Sequence, residues 1–334
     1  MSVIMPCYQA GNSVGRAINS IRTQTFKDWE LIVVDDGSSD HSIDEILNHV
    51  RQDQRVCLIR QPHQGVVAAS NHGFEHARGA TIARMDADDV SRPRRLECQL
   101  EYLHAHRDLG AVSCQVHFAG DSSLAGGYAH HVHWTNSCRD AASIERNRFI
   151  DLPVPHPTLL YRREIIEQHG HYRHGDFPED YELILRWISQ GVSIGKTEDI
   201  LFDWYDPPSR LSRNDTRYHM SAFHQCKAPY LLKALQKNGT DTRDLWIWGA
   251  GRPSRKSARP LEHVWKQASG FIDIDPAKIG RQLHGRPVVS PNDLPPPEQA
   301  VIVSYVGTRG AHQNIRECLL SAGRREGIDF WIAA

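Results

Sequence analysis

Three carboxylates fall within four positions in the segment MDADD: Asp86, Asp88 and Asp89. Like charges at that density repel one another unless a cation, a set of hydrogen-bond donors or bulk water offsets them. Oxygen ligands suit a hard divalent ion such as Mg²⁺ or Mn²⁺, and Mg²⁺ is commonly held by one or two carboxylates together with substrate phosphates. The competing reading is a helix start, with Asp88 or Asp89 accepting from the first amides. A second acidic pair, Glu179 and Asp180, stands behind Pro178 at the head of YELILRW. There the acids complement a helix N-terminus. A third pair, Asp35 and Asp36, closes the apolar run ELIVV.

Side chains so far apart in sequence meet only if a sheet carries them. Unbroken apolar runs alternate with helical periodicity, the pattern of buried parallel strands and crossover helices. The expected strands are Ser2 to Met5, Leu31 to Val34, Val56 to Arg60 and Thr81 to Met85, with helices after each. Ser42 and Glu45 are spaced as a capping box. In an open parallel sheet ligands bind beyond the carboxyl ends of the strands, where Pro6 to Gln9, Asp35–Asp36 and Asp86–Asp89 all lie. Residues 121 to 147, rich in Gly, Ser and His, are expected to be a loop, and so the trio His130, His131 and His133 reads as a solvated loop rather than a metal site. After Asp244 the strand–helix alternation restarts as LWIWGAG, GFIDID and VIVSYV. Gly249 and Gly251, followed by Ser254, make an imperfect dinucleotide fingerprint, with Asp273 and Asp275 placed near a ribose-binding acid.

The chain has 334 residues, 40% of them hydrophobic and 24% charged, a composition that buries a core in about two domains. Its formal charge of −1 gives no overall pull toward nucleic acid. Between residues 207 and 260, however, 11 basic residues face three acidic ones, a stretch that would suit a phosphate-bearing acceptor or an anionic membrane surface as readily as a solvated linker. Seven cysteines without a CxxC pair read as buried thiols. With no apolar run of about 18 residues and no leader-like start, the expectation is a cytoplasmic protein without a transmembrane segment, in peripheral contact with the membrane at most.

Taken together, SVIMPCYQA, ELIVVDDGSSD, GATIARMDADD followed by RPRRLECQLEYL, HPTLLYRRE and PEDYELILRW resemble the family 2 glycosyltransferases. The resemblance covers residues 1 to 215 and implies an α/β protein with a GT-A domain. It makes Pro6, Tyr8, Asp36, Arg84 and Asp86 nucleotide-binding residues, Asp88 the holder of Mg²⁺ or Mn²⁺, Asp180 the general base with Glu179 beside it, and His156, Arg210 and Arg213 contacts to acceptor or phosphate. The implied reaction is inverting, metal-dependent transfer of one sugar from a nucleotide sugar, a UDP-sugar, to a hydroxyl on a glycan or lipid-linked sugar, in surface or secreted glycan synthesis. Ser70 departs from the pattern, where many relatives carry a basic residue, and the QxxRW signature of processive members is missing. Residues 216–243 are expected to be a basic helical linker. Residues 244–334 form a small Rossmann-like domain that resembles the half-Rossmann unit of sugar-nucleotide acyltransferases. The alternative is a non-catalytic sugar-nucleotide sensor or scaffold.

Overall fold

The computed structural model describes residues 1–120, 126–206, 210, 213, 215–308 and 310–334. Two compact units emerge: one of residues 1–145, 153–175 and 186–214, the other of residues 146–152, 176–185 and 215–334.

The first unit carries an eight-stranded sheet: β1 (Ser2–Cys7), β2 (Glu30–Asp35), β3 (Val56–Arg60), β4 (Thr81–Arg84), β5 (Val90–Ser91), β6 (Ala111–Phe118), β7 (Leu160–Arg162) and β8 (Ile194–Trp204). They lie in the order β3-β2-β1-β4-β7-β6-β8-β5. β3, β2, β1 and β4 are mutually parallel, and β7 runs antiparallel to both β4 and β6. The expected apolar runs are these strands. Val3, Met5, Leu31, Val33 and Ala83 are fully buried, and the helix Val14–Arg22 buries Val14, Ala17, Ile18 and Ile21 in the same core. Burial of that many aliphatic side chains, at roughly 25 cal/mol per Å², fixes the strand ends and therefore the acids attached to them.

Two local expectations need correction. Ser42 and Glu45 form no capping box: Ser42 is the first residue of the helix Ser42–Gln52, and its hydroxyl accepts from Ala10 N–H and donates to Asp40. The tie to the β1 loop outcompetes the local cap. Nor is the stretch before Asn147 a loop. Within the described residues it holds the helices Gly126–Ser137 and Ala141–Asn147, with Val132 and Ile144 buried. Gly126 and Gly127 and the histidines hid an element held by packing rather than by propensity.

The second unit carries β9 (Asp244–Trp248), β10 (Gly270–Ile272), β11 (Gln282–Leu283), β12 (Arg286–Val289), β13 (Ala300–Ser304) and β14 (Phe330–Ile332), in the order β11-β12-β10-β9-β13-β14. Leaving aside the antiparallel β11, the five remaining strands are parallel, with the first strand central and flanked by the second and fourth. This is the doubly wound order of Rossmann-type sheets. The stretch expected to be a basic helical linker is the helix Met220–Lys237, which belongs to this unit and buries Cys226, Ala228, Leu231 and Leu235. Lys227, fully buried on it, donates to the carbonyls of Phe149 (2.7 Å), Ile150 (3.2 Å) and Ala333 (3.2 Å), and burial pushes its ammonium down to about 8. Three carbonyl dipoles offset the lost hydration of that charge.

Candidate active site

At the carboxyl end of β4 the backbone turns sharply enough to bring one oxygen from each of Asp86, Asp88 and Asp89 within 4.8 Å of one another. The turn is held on several sides. Met85 N–H donates to Ile4 O of β1 at 3.0 Å, Tyr205 N–H donates to Asp89 Oδ1 at 2.8 Å, and Arg16 donates to the Asp88 carbonyl at 2.9 Å. Asp89 is buried, and its Oδ2 has no hydrogen-bond partner among the described residues. Burial, and next the negative charge of Asp86, push the Asp88 carboxyl up to about 6 against the pull of Arg210 and Arg84. Asp89 rises well above the usual carboxylate range for the same reasons, burial first and the neighbouring acids second. An orphaned buried oxygen in a group of carboxylates that resist joint ionisation is the donor set a hard divalent cation satisfies. The three histidines 130, 131 and 133 form no such group among the described residues.

Cations surround the acids. Arg84, 4% exposed, pairs with Asp86 at 2.7 Å. Arg95 is fully buried behind the cluster and donates to Ser91 Oγ, Gln99 Oε1 and the carbonyls of Arg84 and Pro157, at 2.7–3.0 Å. Burial pulls its guanidinium down to about 10. Sequence reading passed over Arg95, which sits in RPRRLEC among arginines that look like a solvated face. The available signal was its place in the helical stripe with Leu96, Gln99 and Leu103. Arg210 lies over the rings of Tyr128 (4.5 Å) and Trp204 (4.7 Å), and its charge acts on both Asp88 and Asp89. Arg213 is drawn elsewhere, to Asp206.

His156 is 7% exposed, in the short 3-10 turn His156–Thr158, with Nε2 2.7 Å from the Tyr172 hydroxyl. Burial first, and the Arg84 charge second, press its imidazole down to about 3, so it is neutral in the fold. An unfolded histidine titrates near 6.5, so the stability this group lends is complete above that pH and is lost as pH falls from about 6.5 toward 3. By the same linkage, His156→Gln is expected to lessen the loss of unfolding free energy between pH 7 and pH 5 by about 2 kcal/mol relative to the parent, in denaturant melts at the two pH values. An equal pH loss in both proteins would refute a buried neutral imidazole.

At the end of β2, Asp36 is 2% exposed and its carboxylate gathers the segment 61–65. It accepts from Gln61 Nε2 (2.7 Å), Gln64 N–H (2.9 Å) and Gly65 N–H (2.8 Å), and His63 Nδ1 lies 2.8 Å from its Oδ2. Tyr8, half exposed beyond β1, stacks on the His63 ring with centroids 4.1 Å apart and planes 22° apart. Pro6 sits in β1 opposite Val34. An open cleft of about 480 Å³ bounded by Arg60, Gln61, Gln64, Asn71 and His72 lies on this segment and includes none of the three clustered acids.

Glu179 and Asp180 belong to the second unit, at the first turn of the helix Glu179–Ser189. Glu179 is buried, and the Tyr218 hydroxyl lies 2.7 and 2.6 Å from its two oxygens. Asp180 is partly exposed, and its Oδ1 accepts from Tyr181 N–H at 2.7 Å. Glu182, one turn on, accepts from the Tyr230 hydroxyl at 2.6 Å. In the second unit Asp273, at the end of β10, accepts from Ala250 N–H (2.9 Å) and Asp275 N–H (3.0 Å) and pairs with Lys278 (3.2 Å). It thus braces the glycine turn after β9, where Gly249 has φ +115°.

The sequence model for glycosyl transferase family 2 matches residues 2–170. The chain belongs to that family. EpsE of Bacillus subtilis, named as a glycosyltransferase, is 41% identical over 225 residues, 65% of this chain and 77% of its own. Among the first curated relatives, the matched stretch spans 29% of one and 92% of another. Among solved structures, Staphylococcus aureus TarS 1–349 in complex with UDP-GlcNAc aligns with a TM-score of 0.55 at 15% identity, over 80% of this chain and 73% of that one. The mannosyltransferase PcManGT of Pyrobaculum calidifontis, in complex with GDP-Man and Mn²⁺, aligns at 0.51 and 21% identity, over 78% and 67%. The family 2 member described here therefore has the GT-A fold and is a transferase, with a second sheet following the GT-A portion. Among the described residues no helix is long and apolar enough to cross a membrane.

Proposed function

We propose that the chain is an inverting, metal-dependent glycosyltransferase that moves one sugar from a nucleotide sugar, a UDP-sugar, to an acceptor hydroxyl in the synthesis of a surface or secreted glycan. The observation that carries the reading is the acidic cluster at the end of β4, three ligand oxygens within 4.8 Å beside Arg84 and Arg210. Asp88, with Asp86, would hold Mg²⁺ or Mn²⁺. Such an ion, when bound, stabilises the negative charge that builds on a departing diphosphate. The complexes of TarS with UDP-GlcNAc and of PcManGT with GDP-Man and Mn²⁺ support this reading.

The chain's own groups divide the remaining work. Tyr8 offers a stacking face and Asp36 an acceptor for a nucleobase, with Pro6 bordering them and Asp86 at the ribose. Arg84 and Arg210 present charge to phosphate, while Arg213, engaged with Asp206, and the neutral His156 stand further back. Asp180 takes the proton of the acceptor hydroxyl, and Glu179, gripped by Tyr218, sets the helix turn that presents it. The defining experiment is nucleotide release from a panel of UDP-, GDP- and dTDP-sugars with Mn²⁺ and a pool of glycan and lipid-linked acceptors. Release from one donor class is expected, and release from none by folded protein would overturn the reading.

The second unit, which resembles the half-Rossmann unit of sugar-nucleotide acyltransferases, serves packing rather than nucleotide binding in this scheme, because its candidate ribose acid already holds its own turn. Arg252, Lys256 and Arg259 are exposed on one face of the helix Arg252–Val264, at i, i+4 and i+7, and make no ion pair among the described residues. Each cation close to an anionic bilayer adds about 1 kcal/mol of attraction. Flotation with phosphatidylglycerol vesicles is expected, weakened roughly 100-fold by replacing all three with glutamine. Equal binding to neutral vesicles would refute the membrane contact.

A further inference from the structure

The pair Tyr8 and Asp36 already holds a planar ring with one nitrogen against Asp36, beside both its carbonyl and its carboxylate, and the ring is the chain's own. His63 stacks on Tyr8 at 4.1 Å and 22°, while its Nδ1 lies 2.8 Å from Asp36 Oδ2 and 3.1 Å from the Asp36 carbonyl. A pyrimidine ring offered to the same two residues would take the same place, one face against the phenol and one ring N–H turned to Asp36.

We infer that the His63 imidazole is an internal stand-in for the nucleobase, a plug that occupies the base subsite in the donor-free protein and must swing out for the nucleotide to enter. The inference rests on the assignment of Tyr8 and Asp36 as base-binding residues.

The local structure is built for such an exchange. The His63 side chain is 55% exposed, so rotation about its own side-chain bonds carries the ring into solvent without moving the backbone. Asp36 does not depend on it, since Gln61 Nε2 and the amides of Gln64 and Gly65 hold the carboxylate in place when the imidazole leaves. Gln61 is in turn held by His72 Nδ1 at 2.8 Å, outside the subsite. The backbone of His63 is confined as well. At Gly37, where φ is +76°, a Cβ would stand 2.8 Å from the His63 nitrogen, so the segment passes too close for any side chain there. The frame is fixed and the ring is the movable part.

The plug makes donor affinity a competition. The apparent dissociation constant is the intrinsic one divided by the fraction of molecules with the subsite open, so a plug closed nine-tenths of the time weakens binding tenfold. His63→Ala in the full chain is therefore expected to tighten UDP or GDP, titrated calorimetrically without divalent cation, by roughly 10-fold, whereas Tyr8→Ala and Asp36→Asn weaken it. In the parent, the His63 Cε1–H resonance is expected to lose the ring-current shift of the stacked phenol as nucleotide is added. Weaker or unchanged binding in His63→Ala, alongside weakened binding in the other two variants, would overturn the plug and leave the base subsite standing. Unchanged binding in all three variants, or no binding of either nucleotide to any of them, would instead remove the base-subsite assignment and the plug with it.

Discussion

Asp88→Ala is expected to abolish Mn²⁺-dependent UDP binding and to lower the transfer rate by about 10³-fold or more. Electrostatic groups aimed at charge that develops in the transition state are typically worth 10²–10³ each, and Asp88, with Asp86, would hold the ion that stabilises a departing diphosphate. Asp86 is paired with Arg84 at 2.7 Å and Asp89 accepts from Tyr205 N–H at 2.8 Å through Oδ1, so the variant keeps at most two of the three clustered carboxylates. A pH signature accompanies the loss. Because burial and Asp86 push Asp88 up to about 6, metal must displace a proton below that pH, so apparent Mn²⁺ affinity is expected to fall as pH drops from 7 to 5. Titration of Mn²⁺ into the parent and the variant at the two pH values measures both effects. Full UDP binding with Mn²⁺ in Asp88→Ala would remove the metal assignment.

Asp180→Asn is expected to divide kcat by 10²–10⁴ while leaving UDP binding intact, the span that general-base catalysis usually provides. Asparagine keeps the shape and, through its Oδ1, the acceptor for Tyr181 N–H that Asp180 supplies at 2.7 Å, so the helix start is preserved and only the basic oxygen is lost. Single-turnover transfer beside equilibrium UDP binding separates the two quantities. Activity within about tenfold of the parent would exclude Asp180 as the base.

What could be read from the sequence was whatever repeats or clusters locally. The apolar runs of β1 to β4 announce themselves because a strand buried on both faces has no polar positions to interrupt it. The acids of MDADD do so because their spacing is extreme. The interior charges escaped notice. Arg95 and Lys227 look like surface residues until the fold supplies carbonyls 60 to 110 positions away, Pro157 O for one and Phe149 O and Ala333 O for the other. The His63 contacts were equally out of reach, since a stack with Tyr8 and a bond to Asp36 exist only once β1 and β2 lie side by side. The helix Gly126–Ser137 failed for a different reason. Its local composition argues against a helix, and only tertiary burial of Val132 overrides it.

The hydroxyl of Tyr218 on Glu179, that of Tyr230 on Glu182 and the ammonium of Lys227 on Phe149 and Ile150 all come from beyond residue 214. A protease that removed everything beyond residue 214 would therefore orphan two buried carboxylates beside Asp180.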